Sequence, residues 1–144
     1  MEYRILGNTG VTVSKFCFGA GMFGYFGNRD EKECTRMVHH AIDAGINYFD
    51  TSDVYSHGES ETILGKALKG KREDVILATK FALPMDDNPN HRGSSRRWIM
   101  KEVEKSLQRL NTDYIDLYQA HRPDGTVDID ETLGALSDLV QQGK

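Results

Sequence analysis

The sequence repeats one pattern four times: a short apolar, β-prone run is followed by a segment whose apolar residues recur at helical spacing. The apolar runs lie at residues 16–20, 46–49, 75–81 and 114–120, and the helical segments at about residues 31–44, 62–68, 98–110 and 133–140. We expect Ser94 or Ser95 to start the third helix, and Asp128 or Asp130 to start the fourth. The residues expected to face inward are Trp98, Ile99, Val103, Leu107 and Leu110 in the third helix, and Leu133, Leu136, Leu139 and Val140 in the fourth. Strands that alternate with helices run parallel and are joined by right-handed crossovers. We therefore expect an α/β fold, either a doubly wound sheet or a (β/α)8 barrel.

The glycine-rich segment after the first run bears on the choice between these folds. Residues Gly19–Gly24 match the GxGxxG pattern that dinucleotide-binding folds place between a strand and a helix. In those folds the third glycine packs within the helix, but here the next helix is expected to begin only after its N-cap, Asp30. A barrel needs eight units and about 250 residues. Spacing alone leaves both folds open, with this chain as half of a barrel in the second case.

The first 16 residues differ from the repeating units. Two β-prone runs lie on either side of the turn-forming residues Gly7–Gly10, which predicts an antiparallel hairpin. At 144 residues the length suits one domain with a sizeable core. We expect residues 1–16 to form a hairpin lid and residues 17–144 to form the four βα units.

Composition excludes several classes of function. The chain has 18 Lys and Arg against 22 Asp and Glu, so it lacks the basic surface of a nucleic-acid-binding protein. No apolar run reaches about 18 residues, and the N-terminus lacks a signal-peptide pattern, so we expect a cytoplasmic protein without membrane contact. Cys17 and Cys34 have no metal-ligand spacing and are expected to be thiols in a reducing compartment, with no metal site.

Four polar residues are expected at the carboxyl ends of the predicted strands. Asp50 and Tyr55 follow the second run, Lys80 interrupts the end of the third, and His121 follows the fourth. In α/β folds the loops at this end of the strands carry the functional site. Each residue alone could be a turn former, a core side chain or a solvated charge, and Asp53 could be the turn former instead of Asp50. Four such groups on one rim favour a site.

Three segments resemble the aldo-keto reductases. They are FDTSDVYSHGESE at residues 49–61, LATK at residues 77–80 and TDYIDLYQAHRP at residues 112–123. The chain resembles the N-terminal half of such a protein from Tyr3 to Lys144, which implies a (β/α)8 TIM barrel of which only the first four βα units are present here. By this resemblance the residues that match the family's catalytic tetrad are Asp50, Tyr55, Lys80 and His121.

The chemistry of carbonyl reduction gives a separate reason for these four residue types. Hydride delivery to a carbonyl builds negative charge on oxygen, so a proton donor must lie within hydrogen-bond reach. A free tyrosine, with a pKa of about 10, is a poor acid near neutral pH. A Lys80 ammonium group beside Tyr55 would stabilise the phenolate, and Asp50 would hold that ammonium group in place. His121 could then donate a hydrogen bond that orients the substrate oxygen.

The resemblance also implies a cofactor and a substrate pocket. We expect NADP(H), with NAD(H) as an alternative, although most of the family's cofactor-binding groups come from strands five to eight. Within this chain the cofactor candidates are Gly19, Ala20, Gly21, Met22 and Asp50. The candidates for lining a substrate pocket are Met22, Phe23, Phe81 and Arg122.

These observations predict an NAD(P)H-dependent oxidoreductase that reduces aldehydes or ketones to alcohols, or runs the reverse reaction, with Tyr55 as the acid and base. The alternative is an NADPH-binding regulatory module with little turnover, as the family's channel-associated members suggest. A four-stranded half-barrel leaves two strand edges unpaired and apolar surface exposed. We therefore expect the 144-residue chain to be weakly active or inactive by itself, and to pair with the missing barrel half or a second copy.

Overall fold

The computed structural model describes residues 1–144 and begins with an antiparallel hairpin. Its strands are β1 (Tyr3–Ile5) and β2 (Thr12–Ser14). The side chain of Asn47, just before the second strand of the parallel sheet, accepts a hydrogen bond from the Ser14 N–H at 2.6 Å and donates one to the Thr12 carbonyl at 3.0 Å. The hairpin therefore covers the amino ends of the strands, and the carboxyl ends stay open.

A four-stranded parallel sheet with the order β3-β4-β5-β6 forms the rest of the fold. Its strands are β3 (Phe18–Gly19), β4 (Tyr48–Asp50), β5 (Ile76–Phe81) and β6 (Leu117–Ala120). The helices are α1 (Glu31–Asp43), α2 (Glu59–Ala67), α3 (Arg96–Leu110) and α4 (Ile129–Gln141), with short 3₁₀ segments at Tyr55–Gly58 and Arg72–Asp74.

The strand order decides between the two folds that spacing leaves open. Neighbouring strands in the sheet are neighbours in the sequence, and α1, α2, α3 and α4 pack on one another in the same order. A doubly wound sheet reverses its strand order at a switch point, and this sheet has no reversal. Gly24 also lies in a loop with φ +96°, well before α1, so the dinucleotide fingerprint is absent. The fold is that of four successive units of a (β/α)8 barrel.

Strand β5 shows how the sheet divides its side chains between two faces. Leu77, Thr79 and Phe81 are fully buried beneath the helices, whereas Ile76 and Lys80 are only partly buried. Because successive side chains of a strand point to opposite faces, Lys80 lies on the inner face of the half-barrel and its neighbours lie in the core. Strand β5 thus presents the charged Lys80 away from the helix layer.

The helix starts agree with the predicted caps. The Asp30 side chain accepts hydrogen bonds from the first turn of α1, and Ser95 and Asp128 do the same for α3 and α4. Such caps satisfy backbone N–H groups that have no partner inside the helix. Gly45 follows α1 with φ +89°, a left-handed conformation that glycine adopts without strain.

A close crossing of α2 and α3 depends on Gly65. A Cβ atom at this position would collide with the backbone of Leu110, at the end of α3. Backbone atoms cannot move aside as a flexible side chain can, so a residue without a side chain is required here. This contact brings α2 close enough to α3 for the buried ion pairs described below.

The structure corrects the predicted inward face of α4. Leu133 is 54% exposed and Val140 is 76% exposed, although helical spacing predicts both as core residues. Thr132, Ala135 and Leu139 are buried instead. The helix packs against α3 on one side only, so one edge of its apolar surface has no neighbour within the chain.

Two predicted strands are shorter than their apolar runs. Strand β3 contains only Phe18 and Gly19, and Phe16 is 63% exposed. The run at residues 114–120 pairs with β5 only from Leu117 onward. Its earlier part is held by the Asp116 carboxylate, which accepts hydrogen bonds from the Leu77 N–H at 2.8 Å and from Arg72 at 2.8 Å. These side-chain bonds reinforce a single backbone bond at this position, from the Asp116 N–H to the Leu77 carbonyl at 3.1 Å.

Both cysteines are free thiols, with Cys17 exposed and Cys34 buried. No helix in the chain combines the length and the apolar character that a membrane span requires.

Candidate active site

The four predicted tetrad residues meet at the carboxyl ends of β4, β5 and β6. Asp50 is the last residue of β4, Lys80 lies next to the end of β5, and His121 directly follows β6. Tyr55 begins the 3₁₀ segment that joins β4 to α2. Parallel strands in register place these ends on one rim, so residues distant in sequence become neighbours.

A charged pair stands at the centre of this rim. The Lys80 Nζ atom donates to Asp50 Oδ1 at 2.5 Å and to the Thr51 carbonyl at 2.7 Å. The side chains of Lys80 and Asp50 are 15% and 26% exposed, so water screens their attraction only partly. The same ammonium group lies 5.0 Å from the centroid of the Tyr55 ring. Asp50 thus anchors a cation beside the tyrosine.

The Tyr55 ring is positioned by a tight turn and by the glycine loop. Ser56 and His57, which follow it, have φ values of 51° and 49°, a left-handed conformation that costs energy for residues with a side chain. The Ser56 hydroxyl donates to the Phe23 carbonyl at 3.0 Å, which ties this turn to the β3–α1 loop. A Cβ atom at Gly21 would lie 3.5 Å from the Tyr55 ring, so the loop backbone runs alongside it.

His121 lies against Tyr55, and its surroundings favour the neutral form of its ring. The two rings are perpendicular, with centroids 5.6 Å apart. Burial lowers the pKa of His121, the nearby Lys80 and Arg122 lower it further, and Asp50 opposes them. A neutral imidazole has one N–H donor and one acceptor nitrogen. The hydrogen-bond partner of one ring nitrogen therefore decides whether the second nitrogen carries the proton and can act as a donor.

That partner is Ser52, which sequence reasoning did not select. The Ser52 Oγ atom lies 3.1 Å from His121 Nδ1 and donates to Asp53 Oδ1 at 3.0 Å. Asp53 is fully buried, its Oδ1 atom also accepts from the Val54 N–H at 2.6 Å, and its Oδ2 atom has no partner. Burial raises the pKa of Asp53 to about 7, despite the hydrogen bond from Ser52. The only sequence signal for this pair is its place between Asp50 and Tyr55.

A second buried polar cluster lies behind the rim, and no pattern in the sequence indicates it. Arg109 Nε donates to Glu61 Oε2 at 2.5 Å, and Arg109 Nη2 donates to Glu102 Oε1 at 2.6 Å. Both carboxylates are fully buried. Glu61 also accepts a hydrogen bond at 2.6 Å from Thr79, the residue before Lys80 in β5. The cluster therefore links α2 and α3 to the strand that carries Lys80.

The predicted cofactor residues form the loop beside Asp50 and Tyr55. Gly19 is exposed with no atom within 4 Å of the place a Cβ would occupy, and Gly21 lies against Tyr55. The Ala20 side chain is fully buried, so only its backbone is available. Met22 is 65% exposed. The chain thus offers open backbone next to the tetrad, which suits the close approach of a flat ring.

The four predicted substrate-pocket residues separate into two groups. Phe23 and Phe81 belong to the buried core beneath the sheet, and Phe81 packs on Tyr118 with ring centroids 4.8 Å apart. Strand alternation explains the burial of Phe81, because it follows Lys80 in β5 and must point to the opposite face of the sheet. Met22 and Arg122 are exposed. Arg122 lines a cleft of about 580 Å³ between the loops that follow β5 and β6.

Comparison with known proteins agrees with this architecture. The model of the Aldo/keto reductase family matches residues 15–144. All of the chain aligns at 45% identity with 45% of the aldo-keto reductase YhdN from Bacillus subtilis. At 37% identity, 99% of the chain aligns with 44% of a probable voltage-gated potassium channel subunit beta from Oryza sativa.

A solved structure has the same fold. The aldo-keto reductase AKR11C1 from Bacillus halodurans, in its holo form, superposes with a TM-score of 0.89 at 41% identity, over 99% of this chain and 47% of that one. The chain spans about half the length of the relatives it matches. Family match, identity and fold agree: the chain belongs to the aldo/keto reductase family.

Proposed function

We propose that this protein is a nicotinamide-dependent oxidoreductase that interconverts aldehydes or ketones with alcohols, and that Tyr55 is its general acid and base. One observation carries the proposal: the Lys80 ammonium group lies between the Asp50 carboxylate and the Tyr55 ring, at 2.5 Å from the first and 5.0 Å from the centroid of the second. A tyrosine beside an anchored cation is suited to giving up and taking back a proton. Binding alone does not require this arrangement.

During reduction, negative charge builds on the carbonyl oxygen as the carbon accepts hydride. The Tyr55 hydroxyl donates its proton to that oxygen, and the Lys80 ammonium group stabilises the phenolate left behind. The Asp50 carboxylate keeps the ammonium group charged and directed at the ring. In alcohol oxidation the same groups act in reverse, with Tyr55 taking the hydroxyl proton.

His121 orients the reacting oxygen. Its ring stands at right angles to Tyr55, so one ring edge and the phenol can approach a single oxygen from two directions. Two contacts of this kind hold the carbonyl oxygen in place and stabilise the negative charge that builds on it. Met22 and Arg122 are the chain's candidates for substrate contacts on the exposed side of the rim.

The open loop beside the tetrad fits the nicotinamide end of NADP(H) or NAD(H). The backbone of residues 19–22 and the side chain of Asp50 would hold it, because no side chain at Gly19 or Gly21 obstructs the approach. When bound, the reduced nicotinamide supplies the hydride. The solved relative in its holo form supports a cofactor in this fold. We further propose that the protein prefers NADP(H) to NAD(H) and acts in the cytoplasm.

The test is a Tyr55→Phe variant of the complete protein, assayed by NADPH consumption with a panel of small aldehydes. We expect kcat to fall by about 10²–10⁴-fold, the usual contribution of general acid–base catalysis. NADPH affinity, measured by fluorescence titration, should stay the same. Tyr114→Phe is the matched control, because the Tyr114 ring packs on Arg72 away from the rim. Unchanged turnover in Tyr55→Phe would exclude this residue as the acid.

A regulatory module is the second candidate, and one observation favours it. The chain is 37–38% identical to proteins described as potassium channel beta subunits, from two plants and a yeast. Such a module would bind NADPH and show negligible reduction of every aldehyde in the panel. Rapid turnover of any simple aldehyde by the complete protein would exclude a purely regulatory role.

A further inference from the structure

A short hydrogen-bond chain joins the rim to a buried carboxyl group. His121 Nδ1 lies 3.1 Å from the Ser52 hydroxyl oxygen, and that hydroxyl donates to Asp53 Oδ1 at 3.0 Å. Ser52 and Asp53 are both fully buried, and His121 is partly exposed at the rim. The outer end of this chain is a proposed catalytic group, and the inner end is a carboxyl group with one oxygen, Oδ2, that has no partner.

The protonation state of Asp53 determines whether the Ser52 hydroxyl donates its one hydrogen to Asp53 or to His121. An ionised carboxylate can only accept hydrogen bonds, and it accepts them more strongly than a neutral group does. When Asp53 is ionised, the Ser52 hydroxyl donates to it and must accept from His121. The His121 proton then resides on Nδ1, and the neutral ring presents the bare Nε2 atom to the rim.

Protonation of Asp53 reverses this preference. The Oδ1 atom accepts from the Val54 N–H at 2.6 Å, so the added proton belongs on the unpartnered Oδ2 atom. The neutral carboxyl group accepts the Ser52 hydrogen more weakly, and the imidazole nitrogen becomes the better acceptor. Ser52 then donates to His121 Nδ1, and the ring carries its proton on Nε2.

We propose that Ser52 and Asp53 are positioning residues that set the tautomer of His121: the ionised Asp53 makes Nε2 an acceptor suited to an alcohol hydroxyl, and the neutral Asp53 makes it a donor suited to a carbonyl oxygen. This inference rests on the proposed function of His121. Proton transfer along the chain is not required: Asp53 gains a proton on Oδ2, the Ser52 hydrogen turns from Asp53 Oδ1 to His121 Nδ1, and the imidazole proton changes nitrogen by exchange with water.

The surroundings of Asp53 bring its titration close to neutral pH. Burial, together with Glu102 and Glu61, raises its pKa to about 7, against the opposing bonds from Ser52 and Val54. The ionisable groups that act on it are Glu61 from α2, Glu102 from α3 and Tyr118 from β6, and Arg109 from α3 pairs with both glutamates. Burial, and then the charge of Asp53, raises the pKa of Tyr118 well above its ordinary value. That hydroxyl therefore stays protonated while Asp53 titrates.

The pKa of His121 is lowered from its ordinary value, which favours the neutral ring. Burial, Lys80 and Arg122 lower this pKa, and only Asp50 opposes them. A doubly protonated ring would donate from both nitrogens and hide any effect of Ser52. The two neutral tautomers are the states between which the relay formed by Ser52 and Asp53 selects.

The direct test reads the tautomer without measuring turnover. The complete protein, labelled with ¹⁵N in histidine, is examined by long-range ¹H–¹⁵N correlation on both sides of pH 7, and His121→Asn assigns the signal. We expect the proton on Nε2 at the lower pH and on Nδ1 at the higher pH. The tautomer ratio should change by about tenfold, since a hydrogen bond to a charged acceptor is about twice as strong as a neutral one.

Two variants separate the relay from a merely structural role. Asp53→Asn keeps an acceptor for Ser52 and Val54 but cannot ionise, so His121 should hold its proton on Nε2 throughout. Ser52→Ala keeps the carboxyl group, removes the link and should abolish the pH-dependent change even if Asp53→Asn fails to fold. Asp86→Asn is the matched control, because Asp86 bonds to His91 on an exposed loop at 2.7 Å. It should alter the His91 signal and leave that of His121 unchanged.

The kinetic consequence distinguishes this inference from the proposed function. In the wild-type protein, the ratio of alcohol oxidation to carbonyl reduction should rise more steeply across pH 7 than in Ser52→Ala. An active enzyme whose His121 keeps one tautomer on both sides of pH 7 would overturn the relay and leave the function of Tyr55 intact. A tautomer change in a protein without turnover would support the relay and count against the proposed function.

Discussion

Replacing Arg109 by methionine should strongly destabilise the fold. Arg109 is the partner of Glu61 at 2.5 Å and of Glu102 at 2.6 Å, and both carboxylates are fully buried. Although burial opposes its charge, the two carboxylates raise the pKa of Arg109. Methionine keeps much of the apolar stem but leaves Glu61 without a cation, and Glu102 with only Lys105 at 3.8 Å, in a poorly solvated place.

The magnitude follows from the cost of an unpaired buried charge. Removing one partner of a buried ion pair typically costs about 3–5 kcal/mol. One arginine serves two carboxylates here, so we expect a loss of about 4–5 kcal/mol in the free energy of unfolding. Domains of this size have a total of about 5–15 kcal/mol, so the variant should be marginally stable or unfolded.

Urea denaturation followed by circular dichroism measures this loss. The triple variant with Arg109→Met, Glu61→Gln and Glu102→Gln should recover much of the stability, because no uncompensated charge remains. Arg29→Met is the surface control: Arg29 pairs with Glu59 at 3.1 Å, but the two side chains are 65% and 42% exposed. That change should cost less than about 1 kcal/mol. If Arg109→Met lost no more stability than Arg29→Met, the reasoning would be refuted.

Three further predictions concern stability and association. Because the pKa of Asp53 is raised from 3.8 to about 7, wild-type stability should fall as pH rises between these values, by up to about 4 kcal/mol. Asp53→Asn should remove this slope in urea titrations, and a flat wild-type profile would contradict it. Gly65→Ala should lower stability by about 1–3 kcal/mol through its clash with α3, whereas Gly134→Ala, with open space around it, should raise it by about 0.5–1 kcal/mol in thermal melts. The 144-residue chain should self-associate in sedimentation experiments through the exposed side of α4, and Leu133→Lys with Val140→Lys should reduce this; a monomeric parent chain would exclude the idea.

Local patterns in the sequence predicted the units of the fold well. The caps Asp30 and Ser95 lie where their helices begin, and the apolar stripe of α3 is buried from Trp98 to Leu110. These features depend on helical periodicity and on side-chain bonds to nearby backbone, which the sequence shows directly. The convergence of the four tetrad residues also follows from local information, because each stands near the end of a parallel strand.

Local patterns failed where a neighbouring element decides burial. Helical spacing assigns Leu133 to the core as readily as Leu139, but only Leu139 meets α3 and is 3% exposed. Phe81 follows Lys80 in an apolar run, and strand alternation sends it to the helix layer. Periodicity shows which residues share one face of a helix or strand. Packing against other elements determines which of those faces is buried.

The sequence by itself determined the order of the βα units, the helix caps and the identity of the residues on the rim. Spacing left two folds open, the family resemblance implied the barrel, and the strand order confirmed it. Tertiary structure alone decided the ion cluster, which joins Glu61 to Arg109 across 48 positions, and the contact of Ser52 with His121 across 69 positions. A serine beside an aspartate has no distinctive spacing. Its function depends on which side chain a strand from elsewhere in the chain brings within 3.1 Å, and on burial that raises the pKa of its carboxyl neighbour.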